Sequence, residues 1–315
     1  MNFSRPARWR HAARARSILS ALSGTPFRAL FGAFVGAVVA ASVGASVGIS
    51  SALAAGAPLC AEGVVWQPDA DHLKPVGDWQ KLGIKRLLVQ WTVVDNIALI
   101  DGTKLSTLGA MPDWERIARE PWAHETVLGL AGRFNEPQAR AQAGALAALS
   151  LSLPRPTPAL RIGGYYFPVE ADPTWTDVAA FGRILAGLPR PLWISVYDNS
   201  NIGPQALAAW VNKWLPADIG VYFQDGVGLY TRSPDVALQY ADALIATRGK
   251  ARVRIIAEAF RPRFGGGVRS ATAAELAEQL RSYAGRSVWL FDGPHYVNAD
   301  LIRELVALGA GQGCR

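Results

Sequence analysis

Two glutamates end apolar segments that have no evident structural need for an acid. The segment GGYYFPVE rises through glycine and aromatic residues to Glu170, and RVRIIAE ends on Glu258. Two carboxyl groups that face each other across a bound sugar can hydrolyse a glycosidic bond. One protonates the leaving oxygen, and the other attacks the anomeric carbon or activates water. The pair predicts this chemistry if the fold brings both side chains to one cleft.

The elements that must position these residues alternate regularly along the chain. Short β-rich segments are each followed by a polar loop and an amphipathic stretch, with a period of about 30 residues that is typical of βαβ units. Amphipathic helices are predicted at 176–188, 204–215, 233–249 and 271–285, and Ser233 and Asn298 are typical helix-start residues. The strands are predicted at residues 63–67, 86–91, 126–132, 161–169, 191–198, 219–225, 252–258 and 287–293.

Eight such units in about 250 residues predict a closed α/β fold, the (β/α)8 TIM barrel. A Rossmann sheet is the alternative arrangement, but Gln67, Pro68 and Asp69 follow the first strand where a G-x-G-x-x-G motif would be expected. The domain organisation predicted here is a signal peptide or membrane anchor over residues 1–54 and a single barrel domain over residues 55–315.

In a barrel of this type, reacting groups lie where the strands reach their C-terminal ends. Glu170 ends the fourth predicted strand and Glu258 the seventh, on roughly opposite sides of the barrel mouth. In the seventh strand, Arg254 and Ile256 share the parity of Glu258, so we expect all three to point inward. Two alternatives stay open: Glu258 is ion-paired with Arg254 or Arg261, and Glu170 is a solvated loop acid.

Aromatic and polar side chains share the predicted barrel rim with the two glutamates. Aromatic faces stack on sugar rings, and amides and carboxylates bind sugar hydroxyl groups without any net charge in the ligand. Asp225, followed by glycine, has the alternative role of shaping a turn, and Asp292 that of capping a helix. The residues predicted to bind substrate are Trp66, Gln67, Gln90, Tyr166, Tyr197, Asn199, Tyr222, Gln224, Asp225, Phe260, Trp289 and Asp292.

The net charge of +7 has a local origin. Residues 1–54 contain six arginines and no acid, whereas residues 55–315 contain 26 basic and 25 acidic side chains. A nearly neutral body gives no electrostatic support for a nucleic acid partner. The basic segment precedes an apolar run at residues 29–54 that ends in Ala52-Leu53-Ala54, which fits a signal-peptidase site.

This N-terminal pattern predicts a periplasmic or secreted protein, with an inner-membrane anchor formed by residues 29–54 as the alternative. Cys60 and Cys314 are the only cysteines, and in an oxidising compartment they are expected to form a disulfide. His72, His124 and His295 are scattered, so their spacing shows no structural zinc pattern. No metal and no organic cofactor is predicted.

At GYYFPVE, YFQDGVG and IIAEAF the sequence resembles a bacterial family of exported proteins of unknown function with glycoside-hydrolase-like (β/α)8 barrels. The resemblance covers roughly residues 63–300, and YFQDGVG is its most specific part. It implies an acid/base on the fourth strand and a nucleophile on the seventh, which match Glu170 and Glu258. The wider clan has Asn-Glu at the fourth strand, whereas Glu170 follows Val169. Asn135-Glu136 occurs after the third predicted strand, so Glu136 would be the acid/base and Glu170 a bystander if the strand count were off by one.

The hypothesis that follows is an exported glycoside hydrolase that cleaves a polysaccharide or glycan by a retaining, two-glutamate mechanism. The alternative is a non-catalytic glycan-binding barrel that belongs to an exopolysaccharide assembly or export system. A lyase or deacetylase is a weaker third interpretation. The sequence shows no phosphate-binding glycine loop, no Ser-His-Asp pattern and no metal-ligand spacing that would favour other chemistry.

Overall fold

The computed structural model describes residues 56–314 and contains a closed barrel of eight parallel strands. Each strand pairs with its neighbours in the chain, and the last strand pairs with the first to close the barrel. This confirms the predicted (β/α)8 fold and the strand count. The strands are β1 Gly63–Trp66, β2 Arg86–Val89, β3 Glu125–Gly129, β4 Ile162–Tyr166, β5 Leu192–Val196, β6 Gly220–Gln224, β7 Val253–Glu258 and β8 Val288–Phe291.

Six helices of eight or more residues pack outside the barrel in the described part of the chain: α1 Ala143–Ser150, α2 Val178–Ala186, α3 Pro204–Trp214, α4 Pro234–Arg248, α5 Ala273–Ser282 and α6 Ala299–Ala307. The predicted start signals hold, since α4 follows Ser233 and the Asn298 side chain accepts a hydrogen bond from the backbone N–H of Leu301. Shorter helical turns are Trp79–Leu82, Trp114–Ile117, Pro121–Ala123, Glu136–Ala141, Lys250–Arg252 and Gly293–Tyr296.

Two small sheets lie in the loops that leave the barrel strands. One is a hairpin directly after β7, formed by Phe260–Pro262 and Val268–Ser270. The other joins Val93–Val94, Ile97–Ala98, Ser106–Thr107 and Ala131–Gly132 from the loops after β2 and β3. These additions surround the C-terminal mouth of the barrel, the end at which βα loops form binding sites.

The side chains of β7 alternate between two cores, as the period-2 pattern predicts. Val253, Ile255 and Ala257 belong to the large core between the sheet and the helices, and Ile256 belongs to the smaller core inside the barrel. Arg254 also points inward. This parity directs the side chain of Glu258 toward the barrel axis at the C-terminal mouth.

The Arg254 guanidinium is held inside the barrel by aromatic rings. Its central carbon lies 3.6 Å from the ring centroid of Trp193 and 4.7 Å from that of Trp289, and one of its N–H groups donates to the Tyr222 hydroxyl at 2.6 Å. Arg254 is partly exposed, and cation–π contacts of this kind contribute about 0.5–2 kcal/mol. Arg254 is therefore satisfied without Glu258.

Cys60 and Cys314 form the predicted disulfide, with 5.7 Å between their Cα atoms. The bond joins the segment before β1 to the segment after α6, and the backbone N–H of Gly311 donates to the Leu59 carbonyl beside it. Residues 56–314 include no helix with the length and apolarity that crossing a membrane requires. The predicted signal or anchor at residues 1–54 lies outside the described residues.

The disulfide closes a loop of 254 residues, so its removal should enlarge the conformational freedom of the unfolded chain. We expect the double variant Cys60→Ser, Cys314→Ser to lose about 2–5 kcal/mol in free energy of unfolding. Urea unfolding of the oxidised wild type and the variant measures the difference. Reduced wild type is the control and should match the variant, and equal stability of the oxidised protein and the variant would contradict the expectation.

Candidate active site

A cleft that opens to solvent lies at the C-terminal mouth of the barrel. Five of the residues predicted to act on or bind substrate line it: Gln67, Gln90, Tyr166, Glu170 and Gln224. They come from the ends of β1, β2, β4 and β6 and from the loop after β4. The cleft has further polar and aromatic lining from Trp91, Arg133, Phe134, Glu136, Ser195 and Phe291.

Glu170 is half-buried in this cleft, four residues beyond the end of β4. The chain returns to the sheet directly after it, because Ala171 pairs with Val196 of β5. The Gln224 side chain lines the same cleft and acts to lower the pKa of Glu170. Burial of the carboxyl group, reinforced by the charge of Glu136, raises the pKa of Glu170 to about 8. Glu170 is therefore not the solvated loop acid of the alternative interpretation.

Glu136 lies next to Glu170 in the same cleft. It is the first residue of the short helix that Asn135 caps, and its Oε1 accepts the backbone N–H of Glu170 at 2.7 Å. Burial raises the pKa of Glu136, and the Arg140 guanidinium, 3.5 Å away, opposes that rise. The strand count is correct, so Glu136 follows β3. The sequence offered Glu136 and Glu170 as alternatives, but the structure brings them together.

Glu258 ends β7 and is 1 % exposed. Its Oε2 accepts the backbone N–H of Gly228 at 2.7 Å, whereas Oε1 is buried without a hydrogen-bond partner among the described residues. Only glycine fits at position 228, because a Cβ there would lie 2.7 Å from both the Cβ and the Oε2 of Glu258. The loop after β6 thus covers the carboxyl group.

Neither arginine named in the alternative interpretation pairs with the Glu258 carboxylate. Arg261 donates to the Glu258 backbone carbonyl at 2.9 Å and to the Gln279 side chain. Burial, followed by the charge of Asp225, raises the pKa of Glu258, and the charge of Glu170 contributes in the same direction. Glu258 does not line the cleft that holds Glu170, because the loop after β6 covers it.

Asp225 of the YFQDGVG segment is fully buried and shapes the loop that covers Glu258. Its Oδ1 accepts the backbone N–H of Val227 at 3.1 Å, and its Oδ2 accepts the Tyr283 hydroxyl at 2.9 Å together with the Gln279 amide. Both oxygens are thus occupied by the protein. The prediction that Asp225 binds sugar is corrected to the turn-shaping role that the sequence left open.

Three aromatic residues predicted to bind substrate are buried away from the cleft. Trp66 belongs to the outer core, where it packs on Trp114 and donates its indole N–H to the backbone carbonyl of His72. Tyr222 and Trp289 fill the barrel interior around Arg254. Their positions near strand ends do not place them in the cleft, because parity and depth along the barrel axis decide which surface a ring meets.

Three other predicted residues lie around the cleft without lining it. Phe260 is buried against Tyr296, with ring centroids 5.2 Å apart. The Tyr197 hydroxyl is 2.9 Å from the Thr231 hydroxyl. Burial, followed by the charges of Glu258 and Glu170, raises the pKa of Tyr197. Asn199 is exposed in the loop after β5.

Asp292 forms a second polar cluster with Asp69 and two histidines. His295 contacts Asp292 Oδ2 through Nδ1 at 2.7 Å and Asp69 Oδ2 through Nε2 at 3.0 Å, and His72 Nδ1 lies 2.9 Å from Asp69 Oδ1. Burial alone would lower the pKa of His295, but the two aspartates raise it to about 10. Asp292 is thus occupied in this cluster, which corrects its predicted role as a sugar ligand.

Sequence reasoning missed this cluster because Asp69 and His295 are 226 positions apart. The available signal was topological: Asp69 follows β1, His295 follows β8, and closing a barrel makes those strands neighbours. The backbone N–H of Gln67 donates to Asp292 Oδ2 at 3.1 Å, which connects the cluster to the wall of the cleft.

The fold is a closed (β/α)8 barrel with carboxyl groups at its C-terminal mouth. Among solved structures, a "putative alpha-L-fucosidase" from Bacteroides thetaiotaomicron is similar with a TM-score of 0.50 at 13 % sequence identity, over 87 % of this chain and 97 % of that chain. A chitinase from Chromobacterium violaceum has a TM-score of 0.41 at 12 % identity, over 81 % of this chain and all of its own. No protein-family model and no curated protein matches the sequence.

Proposed function

We propose that this protein is a glycoside hydrolase that acts on a neutral glycan, with Glu170 as the general acid. The observation that carries the proposal is the environment of Glu170, a half-buried carboxyl group in a polar and aromatic cleft, with its pKa raised to about 8. A general acid must hold its proton at the working pH until the leaving oxygen takes it. Burial and the negative charge of the neighbouring Glu136 keep the Glu170 carboxyl group protonated at neutral pH.

Glu258 is the second carboxylate in this proposal. The Gly228 N–H fixes Oε2, which leaves the unpartnered Oε1 free to attack the anomeric carbon. Glu170 protonates the glycosidic oxygen while Glu258 forms the glycosyl ester. Water, deprotonated by Glu170, then releases the sugar with retention of configuration. The loop at residues 226–228 has to move off Glu258 when substrate binds, because Gly228 lies against its carboxyl group.

The lining of the cleft supports a neutral carbohydrate ligand. The amides of Gln67, Gln90 and Gln224 donate to and accept from hydroxyl groups, and the rings of Trp91 and Tyr166 offer apolar faces. Gln67 Nε2 is buried without a hydrogen-bond partner among the described residues. An unsatisfied buried donor costs about 1–3 kcal/mol, which a ligand hydroxyl would offset.

A second candidate function, a non-catalytic glycan-binding barrel, is favoured by one observation. Glu258 is 1 % exposed beneath the loop after β6, so a protein whose loop stays closed would bind glycan in the cleft without cleaving it. In that case the raised pKa of Glu170 reflects burial alone, and the barrel would serve an exopolysaccharide assembly or export system.

We also infer that the protein works outside the cytoplasm. The Cys60–Cys314 disulfide and the basic-then-apolar pattern of residues 1–54 support a periplasmic or secreted location. Retention of residues 29–54 as an inner-membrane anchor is the alternative. The proposed domain boundaries are residues 1–54 for this segment and 55–315 for the barrel.

Reducing-end release and binding, measured on the same glycans, test the proposed function. We expect the wild type to release reducing ends from at least one member of a panel of neutral polysaccharides and oligosaccharides, with fucosides included because of the Bacteroides similarity. Binding without release across the panel would favour the binding module. Substitution Gln224→Ala should weaken binding about tenfold, through a lost hydrogen bond to a sugar hydroxyl, whereas Asn199→Ala, outside the cleft, should leave it unchanged.

A further inference from the structure

The cluster of Asp69, His72, His295 and Asp292 has no role in the proposed hydrolysis. It lies where β1 and β8 leave the barrel, on the same face as the cleft. One potential ligand atom from each of Asp69, His72 and His295 lies within 4.8 Å of the others. Asp69 is buried, while the side chains of His72 and His295 keep 33 % and 16 % of their surface exposed. A small ion can therefore reach the cluster from solvent.

We propose that Asp69, His72 and His295 form a binding site for Zn²⁺. Two imidazoles and one carboxylate form a ligand set that suits this ion, with a fourth position left for water. The observed separations are 3.0 Å between His295 Nε2 and Asp69 Oδ2 and 2.9 Å between His72 Nδ1 and Asp69 Oδ1. Zinc bonds of 2.0–2.1 Å at tetrahedral angles need ligand atoms about 3.3 Å apart, so these two pairs need to open by only a few tenths of an ångström, and no pair in the set is more than 4.8 Å apart.

Asp292 orients His295 in the way that outer carboxylates orient metal-bound histidines. Both Asp292 oxygens lie within 2.8 Å of His295 Nδ1, so this nitrogen carries a proton and Nε2 points to Asp69. Asp292 is itself held by the backbone N–H groups of His295 and Gln67. Asp69 is held by those of Asp71 and His72. The proposed ligands are therefore fixed before an ion binds.

The charge balance of the cluster also favours a divalent cation. Asp69 and Asp292 are buried carboxylates, and their ion pairs within residues 56–314 are made with histidines, not with arginine or lysine. Buried carboxylates need compensating charge. A proton shared between His295 and the aspartates supplies one positive charge, and Zn²⁺ in place of the proton on Nε2 supplies two.

A bound ion would join the loops after β1 and β8 at the wall of the cleft. Gln67 lines the cleft and donates to Asp292, and the Trp66 indole donates to the His72 carbonyl at 2.8 Å. Zinc at this position would therefore help to hold Gln67 in place at the wall of the cleft. The site stands independently of the Glu170 and Glu258 chemistry.

Calorimetric titration of the full chain with ZnCl₂, after chelation and dialysis, tests the site. We expect one ion per chain with a Kd below about 10 µM, and a rise in Tm of about 5 °C at a hundredfold excess of free Zn²⁺ over Kd. Substitutions His72→Ala and His295→Ala should each abolish both effects. His124→Ala, which removes an exposed histidine outside the cluster, is the matched control and should preserve them.

Two further measurements keep the test decisive if His295→Ala fails to fold. Asp292→Asn keeps all three ligands and should weaken Zn²⁺ binding about 10–100-fold, and His72 is exposed enough for its variant to fold. Absence of wild-type binding heat and of any Tm shift would overturn the proposal, as would unchanged affinity in His72→Ala. Either result would leave the cluster as a proton-bridged contact between the two loops.

Discussion

Substitution Glu258→Gln should lower kcat on the hydrolysed glycan by at least about 10⁴-fold, which corresponds to roughly 5.5 kcal/mol of lost transition-state stabilisation. The amide keeps the size of the side chain and an oxygen that accepts the Gly228 N–H, but it cannot form a glycosyl ester. We expect glycan affinity to stay within about threefold of the wild type, because the substitution alters the reacting group and leaves the cleft lining intact. Steady-state kinetics and direct binding on one substrate measure both quantities.

The same substitution should stabilise the protein at neutral and alkaline pH. Burial, followed by the Asp225 charge, raises the pKa of Glu258 to about 8 from its ordinary value of 4.5. Between these two values the folded state binds more protons than the unfolded state, so stability falls as the pH rises through this window. Glu258→Gln removes that loss, and we expect a gain of about 1–3 kcal/mol at pH 8 with little difference at pH 4.

Urea unfolding at both pH values measures this change, and Asp218→Asn, an exposed carboxylate paired with Arg190, is the control that should show no gain. Hydrolysis retained above a tenth of the wild-type rate would contradict the assignment of Glu258. Greater stability combined with lost activity is the signature of a strained catalytic group.

Substitution Glu170→Gln should have an effect that depends on the leaving group. With a sugar alcohol as leaving group, loss of the general acid should lower kcat/KM by about 10²–10⁴-fold. An aryl glycoside whose phenol is acidic needs little protonation, so its first step should fall by less than about tenfold. Rates for a series of aryl glycosides, plotted against phenol pKa, should give a much steeper slope for the variant than for the wild type.

The pH dependence gives an independent check on Glu170. Glu170 must be protonated and Glu258 ionised, and burial raises the pKa of both to about 8. We therefore expect kcat/KM of the wild type to rise to a narrow optimum near pH 8 and to fall on its alkaline side as Glu170 loses its proton. Glu136→Gln is the matched variant: it removes the neighbouring negative charge but keeps an oxygen that accepts the Glu170 N–H. That change should move the alkaline limb to lower pH. An unmoved limb, or a leaving-group slope unchanged in Glu170→Gln, would show that another residue is the acid.

The barrel itself could be predicted from the sequence because its signals are local and periodic. Eight β-rich segments separated by amphipathic stretches leave few topologies, and the period of two within β7 assigns Arg254 and Glu258 to the interior. The disulfide followed from two cysteines and the expected compartment. Each of these inferences used spacing along the chain and needed no knowledge of long-range contacts.

The composition of the cleft could not be obtained in the same way. Trp66 and Trp289 both follow the pattern of rim aromatics, yet Trp66 faces the helices and Trp289 lies deep in the barrel. Asp225 has the residue type of a sugar ligand, but Tyr283 and Gln279, more than 50 positions away, occupy its oxygens. The His295–Asp69 contact likewise depends on barrel closure. Depth, satisfied hydrogen bonds and distant pairings are properties of the packed structure.

Mass spectrometry of a trapped intermediate tests the central claim most directly. A 2-deoxy-2-fluoro analogue of the cleaved sugar, with an activated leaving group, slows the second step more than the first, so a glycosyl ester accumulates. The account predicts one adduct per chain on the peptide that contains Glu258, and none in Glu258→Gln. An adduct on Glu136 or Glu170, or steady hydrolysis of the natural glycan without any adduct, would contradict it.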